Sequence, residues 1–317
     1  MIDRIKKFDL TNKSIFIAGH NGMVGKATLN ELKLKSNKIY TIDKKKLDLR
    51  DEYSVAKWFE KNQPQVVINA AAMVGGIHAN NIFPVDFLEN NLRIQNNIIK
   101  CSYNSGVEKL LFLGSSCIYP KECLQPIKEE YLFTGKLEPT NEWYAIAKLA
   151  GIKLCEAYQK QYDCNYISLI PTNLYGVNDN FHPLYSHVPA ALIRRFHEAK
   201  VNNLKSVSVW GTGNPRREFM HVSDLAKAIT FMLEYYSSEK PINIGTGLDV
   251  SIHDFAKLIS QVVGYKGQIV FDHSKPDGMQ LKKLDISKAT SIGWHPQIDL
   301  NHGLKNTYEW ALKNIFI

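Results

Sequence analysis

The sequence predicts an α/β protein: a Rossmann-type doubly wound parallel sheet joined to a smaller α/β lobe that would bind a substrate. Three observations predict it. Short β-branched runs alternate with longer helical stretches through the first half of the chain. A glycine-rich turn, Gly19-His-Asn-Gly22-Met-Val-Gly25, stands between the first such run and the first helix. After Pro171 the texture changes, with a stretch rich in Asn, Pro and His over Asn178–Ser186.

In chain order, Ser14–Ala18 reads as a buried strand and Met23–Lys35 as the first helix. Lys38–Ile42, Gln65–Asn69, Lys109–Leu113 and Tyr166–Ile170 read as further strands. Pro84–Ser105 and Glu142–Tyr162 supply long helices. A helix ending near Lys200 follows the Asn/Pro/His stretch, and Trp210–Glu218, with two Gly, a Pro and two Arg, reads as a loop approaching a ligand. Pro241–Ile244 looks like one more sheet strand, while Ser251–Val263 and Asn301–Trp310 look like helices of the smaller lobe. The two lobes therefore interleave. Residues 1–176 with about 219–248 are expected to bind a dinucleotide, and 177–218 with 249–317 to bind the substrate.

Composition narrows the class. With 44% hydrophobic and 22% charged residues among 317, the chain has the make-up of a soluble globular protein. It has no apolar run of about 18 residues, so no membrane-spanning helix is expected. Met1–Lys13 lacks the continuous apolar stretch of a secretory signal and reads as a short extension. Cys101, Cys117, Cys123, Cys155 and Cys164 are odd in number and scattered, without disulfide or metal-ligand spacing, so the cytoplasm is the expected compartment and no metal is expected. The net charge of +8 fits a phosphate-rich small ligand; no basic stretch interleaved with aromatics points to nucleic acid.

The glycine turn is the first candidate site. Gly19 permits the tight turn, Gly22 lets a pyrophosphate approach the backbone, and Gly25 lets helix and strand pack closely. Asn21, Met23 and Val24 line the same turn, and the helix N-terminus offers free N–H groups to phosphate. Asp43, at the end of the second strand, is placed to accept from ribose hydroxyls. It would also repel the 2′-phosphate of NADP, which Lys44 and its neighbours Lys45 and Lys46 would attract. From the residues alone, NADP(H) and NAD(H) both stand. Asp48-Leu49, after a further short strand, would reach the adenine, and Ala70, in Asn69-Ala-Ala-Ala72, would line the channel.

Tyr144-Ala-Ile-Ala-Lys148 places a phenol and an ammonium on one helix face. A free phenol titrates near 10 and is a poor proton shuttle, and an adjacent ammonium is expected to lower that value. Such a pair alone is common on surfaces. Its weight comes from Ser115, which ends a strand upstream in Leu113-Gly-Ser-Ser-Cys-Ile-Tyr-Pro120.

With these motifs the chain resembles the extended short-chain dehydrogenase/reductase family, and within it most closely the GDP-L-fucose synthases, 3,5-epimerase-4-reductases of GDP-4-keto-6-deoxymannose. The resemblance runs through nearly the whole chain, including Val74-Gly-Gly-Ile-His-Ala-Asn-Asn81, Leu137-Glu-Pro-Thr-Asn-Glu142, Pro171-Thr-Asn-Leu-Tyr-Gly176, Asp179-Asn-Phe-His-Pro183 and Arg217-Glu-Phe-Met-His-Val222. It implies NADP(H), with Ser115 holding the C4 oxygen of a GDP-4-keto-sugar, Tyr144 protonating it and Lys148 holding the nicotinamide ribose. It implies that Cys117 and His187 move protons at C3 and C5, and that Pro171 and His187 adjoin the cofactor. Ser116, Asn173, Arg195, Trp210, Arg217 and Lys275 are then expected around the substrate, with Arg217 on the diphosphate. A homodimer through the two long helices is expected from the same resemblance.

Three departures bear on it. Asn21 replaces an Arg common in the fingerprint, Asp43 precedes Lys44 where the family has an uncharged residue before Arg, and Met279-Gln-Leu-Lys282 replaces Thr-Pro-Arg-Lys. The first two weigh against NADPH. The third removes a cation at Leu281 and admits a longer sugar such as a GDP-4-keto-heptose. Alternatives are a C4-reductase without epimerisation and a non-catalytic dinucleotide sensor; the latter is opposed by the intact Ser115, Tyr144 and Lys148. A 4,6-dehydratase is disfavoured by Cys117-Ile where those enzymes carry an Asp-Glu pair.

Overall fold

The computed structural model describes residues 7–275 and 277–317. Of the expected N-terminal extension, residues 1–6 lie outside the described residues; Leu10 is already buried and the Phe8 N–H bonds the Glu234 carbonyl at 2.8 Å. The strands are β1 (Ile15–Ala18), β2 (Ile39–Tyr40), β3 (Val66–Asn69), β4 (Lys109–Leu113), β5 (Tyr166–Pro171) and β6 (Asn173–Tyr175). They continue with β7 (Ser206–Trp210), β8 (Arg216–His221), β9 (Ile242–Ile244), β10 (Asp249–Ser251), β11 (Gln268–Asp272) and β12 (Leu281–Lys282). The helices are α1 (Met23–Leu32), α2 (Glu52–Asn62), α3 (Ile77–Ile82), α4 (Asn91–Asn104) and α5 (Glu142–Tyr162). Then come α6 (Val188–Val201), α7 (Val222–Tyr235), α8 (Ile252–Val263), α9 (Ser287–Ile292) and α10 (Leu300–Asn314).

The central sheet has six parallel strands in the order β2-β1-β3-β4-β5-β9. Every residue of β1, β3, β4 and β5 is buried, because helices cover both faces; that is why these strands read as continuous apolar runs. One face packs on α2, α4 and α5 through Phe59, Ile98, Ile99 and Ile152. The other packs on α1 and α7 through Leu32, Leu225, Ile229 and Met232. A third core lies elsewhere, where Phe196 of α6, Phe219 of β8, Phe255 of α8 and Leu304 of α10 meet.

Local chemistry sets the helix ends. Asp51 accepts from the Tyr53 and Ser54 N–H groups to start α2, and Ser251 accepts from Asp254 N–H to start α8. Gly264, at φ +75°, ends α8 in the left-handed conformation that costs glycine little.

Four sequence expectations need correction. The second strand stops at Tyr40, so Asp43 sits in the turn beyond it. No strand precedes Asp48; the chain there turns, with the Lys46 and Leu47 N–H groups on the Asp43 carbonyl. The expected ligand loop Trp210–Glu218 is a loop only over 211–215, because Arg216–His221 is strand β8, which β6, β10 and β12 all pair. The helix expected from Pro84 begins there, but it is not α throughout: a π-helical turn, Asp86–Asn90, interrupts it before α4. Elements α2 and α7 and strands β6, β7, β11 and β12 were not legible in advance.

Candidate active site

The carboxyl ends of β1, β3, β4 and β5 open on one crevice, the position at which doubly wound sheets bind ligands. The glycines in the first turn there have different duties. A Cβ at Gly25 would lie 2.1 Å from the Gly19 carbonyl oxygen, and one at Gly19, whose φ is +85°, would lie 2.7 Å from the Ala71 backbone. Both are close-packing positions. A Cβ at Gly22 would meet only the Gly19 oxygen at 3.5 Å, so the space beside the N-terminus of α1, which Met23 and Val24 begin, is left for a ligand. Beside it, Asn69 at the end of β3 is fully buried with neither amide atom paired. An open glycine approach and an orphaned buried amide fit a dinucleotide. Ala70 follows directly, half-buried, and Pro171 ends β5.

At the ribose end the Asp43 carboxylate accepts from the Asn21 amide at 2.6 Å, with His20 Nε2 at 3.6 Å. Lys44, Lys45 and Lys46 are exposed around it. Asp48 does not reach out as expected. Arg50 grips its carboxylate at 2.6–3.1 Å and holds its pKa down to about 2, while Leu49 turns into the core.

After β4 a short 3₁₀ turn, Ser116–Ile118, is capped by the Ser115 hydroxyl, which accepts from Cys117 N–H at 3.3 Å. This leaves Ser115 and Cys117 half-buried, whereas Ser116 is buried, so its expected contact with substrate is not at the open wall. Tyr144, in the first turn of α5, completes the group. Burial pushes its phenol above the ordinary value; Cys117 adds to the rise and the Ser115 hydroxyl opposes it. The expected lowering by Lys148 is absent, for a geometric reason. Lys148 is buried, donates to the Leu113 carbonyl at 2.8 Å, and lies 5.8 Å from the Tyr144 ring centre. Burial also pulls the Lys148 ammonium down to about 7, which weakens it as a fixed charge.

His187 caps the start of α6 through its backbone, its side chain free of any capping bond; the residue is exposed overall, yet the atoms packed around the imidazole pull its pKa below the ordinary value by burial. The Ser186 carbonyl oxygen would lie 3.2 Å from a Cβ at Gly76, so the starts of α3 and α6 converge. Among the described residues no hydrogen bond joins His187 to Cys117.

A second group of candidate side chains gathers on α6, β7, β8 and the chain after β11. Arg195 of α6 and Lys275 each stand 5.6 Å from the exposed Trp210 ring, so three residues distant in sequence form one cationic and aromatic face. Arg217 of β8 donates to the Arg216 and Met279 carbonyls at 2.8 and 2.5 Å; its burial lowers its pKa, with Asp277 opposing. Asn173 donates to the Glu218 carbonyl at 2.8 Å.

Sequence reasoning missed three side chains here. Lys282 Nζ donates to Cys117 Sγ at 3.7 Å. Asn141, just before α5, has a buried Oδ1 without a partner. Glu218, fully buried, accepts from the N–H groups of Thr246, Gly247 and Leu284 at 2.5–2.8 Å and so ties the two lobes together. Each lay in a string already quoted, Lys282 at the end of the one that departs from the family, Asn141 in Leu137–Glu142 and Glu218 in Arg217–Val222, but none stood at a spacing that points to a chemical role.

A crevice built this way defines a nucleotide-dependent enzyme of the short-chain dehydrogenase type, and residues 15–245 match the model of the NAD dependent epimerase/dehydratase family. The chain belongs to that family. It is similar to a putative GDP-L-fucose synthase of Arabidopsis thaliana, 54% identical over 302 residues that cover 95% of this chain and 92% of the relative. Among solved structures it is similar to a GDP-L-fucose synthetase of Naegleria fowleri bound to NADP, at 31% identity and TM-score 0.90, covering 98% of this chain and 97% of that one. A GDP-D-glycero-L-gluco-heptose synthase of Campylobacter jejuni, in the presence of NADPH, is similar at 37% identity and TM-score 0.88, covering 95% and 98%.

Proposed function

We propose that this chain is an NADPH-dependent reductase of the C4 ketone of a GDP-linked 4-keto-sugar, coupled to epimerisation at the two carbons that flank the ketone. The relatives carry the substrate class: they are GDP-fucose and GDP-heptose enzymes, and the structures compared hold NADP or NADPH. The observation that carries the chemistry is the wall formed by Ser115, Cys117 and Tyr144, with Lys148 buried behind it.

When bound, the reduced nicotinamide supplies hydride to C4. The rest falls to the chain. Gly22 would admit the pyrophosphate at the turn that Gly19 and Gly25 pack closed, Asp43 would hold the adenosine ribose, and Lys148 would hold the nicotinamide ribose. Ser115 donates to the C4 oxygen and orients it. Tyr144 gives that oxygen its proton; a phenol held high by burial stays loaded at neutral pH, as a donor must. Lys148, 5.8 Å from the Tyr144 ring centre, is a cation beside the phenolate that remains. The ketone acidifies the hydrogens on its neighbouring carbons, and Cys117 and His187 exchange them from opposite faces. Arg217 takes the diphosphate, and the Trp210 face with Arg195 and Lys275 takes the nucleoside side.

The sugar is a 6-deoxyhexose or, one carbon longer, a heptose. Leu281 of β12, apolar and half-buried beside Arg216 of β8, supports the longer sugar. The chain pairs with a second copy through α4 and α5, whose outer faces expose Tyr103, Trp143, Ile146 and Tyr162. No helix among the described residues is long and apolar enough to cross a membrane, and the cytoplasm is the proposed compartment.

The test is incubation with GDP-4-keto-6-deoxymannose and NADPH, following cofactor oxidation and identifying the product by NMR. No oxidation with either the hexose or the heptose substrate would overturn the reading. Without reduced cofactor, in deuterated water, label at C3 and C5 marks the epimerase; its absence leaves a reductase alone.

A further inference from the structure

We propose that Lys282 is a positioning residue for Cys117: its ammonium holds the sulfur at the cleft and balances the negative charge of the thiolate that takes a proton from the sugar. The inference rests on the reading of Cys117 as an epimerisation base. Its physical basis is separate, and begins with the 3.7 Å contact between Lys282 Nζ and Cys117 Sγ.

The backbone beneath that ammonium is fixed on two sides. Lys282 pairs with Arg217 of β8, so the cation at the thiol and the candidate diphosphate cation sit on adjacent strands. The next N–H, of Lys283, donates to Gln125 Oε1 at 3.0 Å. The one after it, of Leu284, donates to the buried Glu218 carboxylate at 2.8 Å, and Ile127 bridges Leu284. A flexible stem thus leaves a rigid base and spans from the small lobe to the turn after β4. Among the described residues, the groups facing Cys117 are Ser115 from its own turn, Tyr144 from α5 and Lys282 from β12; Lys282, whose charge also acts on Cys123, is the cation among them. Two charges about 4 Å apart attract by about 1 kcal/mol even in water, and more in a half-buried cleft.

In the step itself, the sulfur takes a proton from the carbon beside the ketone and the C–H electron pair passes into the carbonyl as an enolate. A proton then returns to that carbon from the opposite face. Lys282 keeps its own protons throughout. It stabilises the thiolate before the transfer and keeps the sulfur from swinging away after it.

The experiment alkylates the whole enzyme, without sugar, using anionic iodoacetate or neutral iodoacetamide, and reads Cys117 by peptide mass spectrometry. The ratio of the two rates cancels the amount of thiolate and reports the local charge. Replacing Lys282→Met, or Lys282→Gln to keep the stem and a donor, should lower that ratio roughly fivefold, the factor that about 1 kcal/mol represents. Lys282→Arg should preserve it. In deuterated water the same neutral variants should lose solvent exchange at C3 or C5 by a larger factor than they lose ketone reduction. A folded Lys282→Gln enzyme with an unchanged ratio overturns the proposal, as does a rise in KM alone. Wild-type enzyme that reduces but never exchanges would instead refute the base role of Cys117, while the alkylation ratio still decides whether the ammonium acts on the sulfur.

Discussion

The floor of the crevice and its outer wall are built on opposite plans. On the floor, Ser115 and Lys148 are held by backbone: one caps its own turn, and the other donates to the Leu113 carbonyl from a buried position. On the wall, Trp210 is 62% exposed and is flanked by two cations from separate elements. The difference follows from the work proposed for each. Moving a proton needs atoms fixed to fractions of an ångström in low dielectric. Attracting a large, charged nucleotide needs reachable cations, and exposure costs them little. The comparison predicts that damage to the floor stops turnover, and damage to the wall weakens binding.

The sharpest way to break it is Tyr144→Phe. Losing the proton donor should cost about 10²–10⁴ in kcat with cofactor affinity preserved. Stopped-flow cofactor oxidation beside a fluorescence titration of NADPH separates the two. An unchanged kcat would remove the phenol from the mechanism.

Asp43 tests the cofactor end. Its carboxylate, braced by Asn21 at 2.6 Å, stands in the turn after β2, where the proposal puts the adenosine ribose. Asp43→Asn, or Asn21→Arg, should tighten NADPH about tenfold relative to NADH, since one unfavourable charge pair at short range is worth on the order of 1–4 kcal/mol. Calorimetric Kd values for both cofactors check this without any turnover. An unmoved ratio would place the phosphate elsewhere.

On the wall, Arg195→Ala should raise KM roughly tenfold and leave kcat within about twofold, as loss of uniform binding does. A fall in kcat of the Tyr144→Phe size would erase the distinction between the two regions.

The last effect is on stability, not on rate or affinity. Burial lowers Lys148 from 10.5 to about 7 in the folded chain. Between those values the unfolded chain binds a proton that the folded chain lacks, so stability should rise with pH across that window by up to about 1.4 kcal/mol per unit. Lys109, buried and lowered to about 8, acts in the same direction over a shorter range. Urea unfolding of Lys148→Met at pH 7, 8 and 9 should show a shallower rise than wild type, with stability at pH 7 retained or higher even though turnover is lost. Parallel slopes would mean that the ammonium is not desolvated.

By itself the sequence determined what depends on near neighbours. The parallel strands were legible because burial on both faces leaves mostly apolar residues in them, and α5 ran over Glu142–Tyr162 as its pattern predicts. The glycine turn was legible because its spacing is a backbone requirement, Ser115 because it follows a strand, and Tyr144 and Lys148 because they stand four apart on one helix. Tertiary structure decided the rest. Whether Lys148 lowers or leaves the Tyr144 phenol depends on which carbonyl its ammonium finds, and it found Leu113. Asp48 was claimed by Arg50, Trp210 gathered Arg195 and Lys275, and Lys282 crossed from β12 to Cys117. Side-chain partners from distant segments are chosen by packing and by the field each charge meets once water has been excluded. Spacing along the chain carries neither.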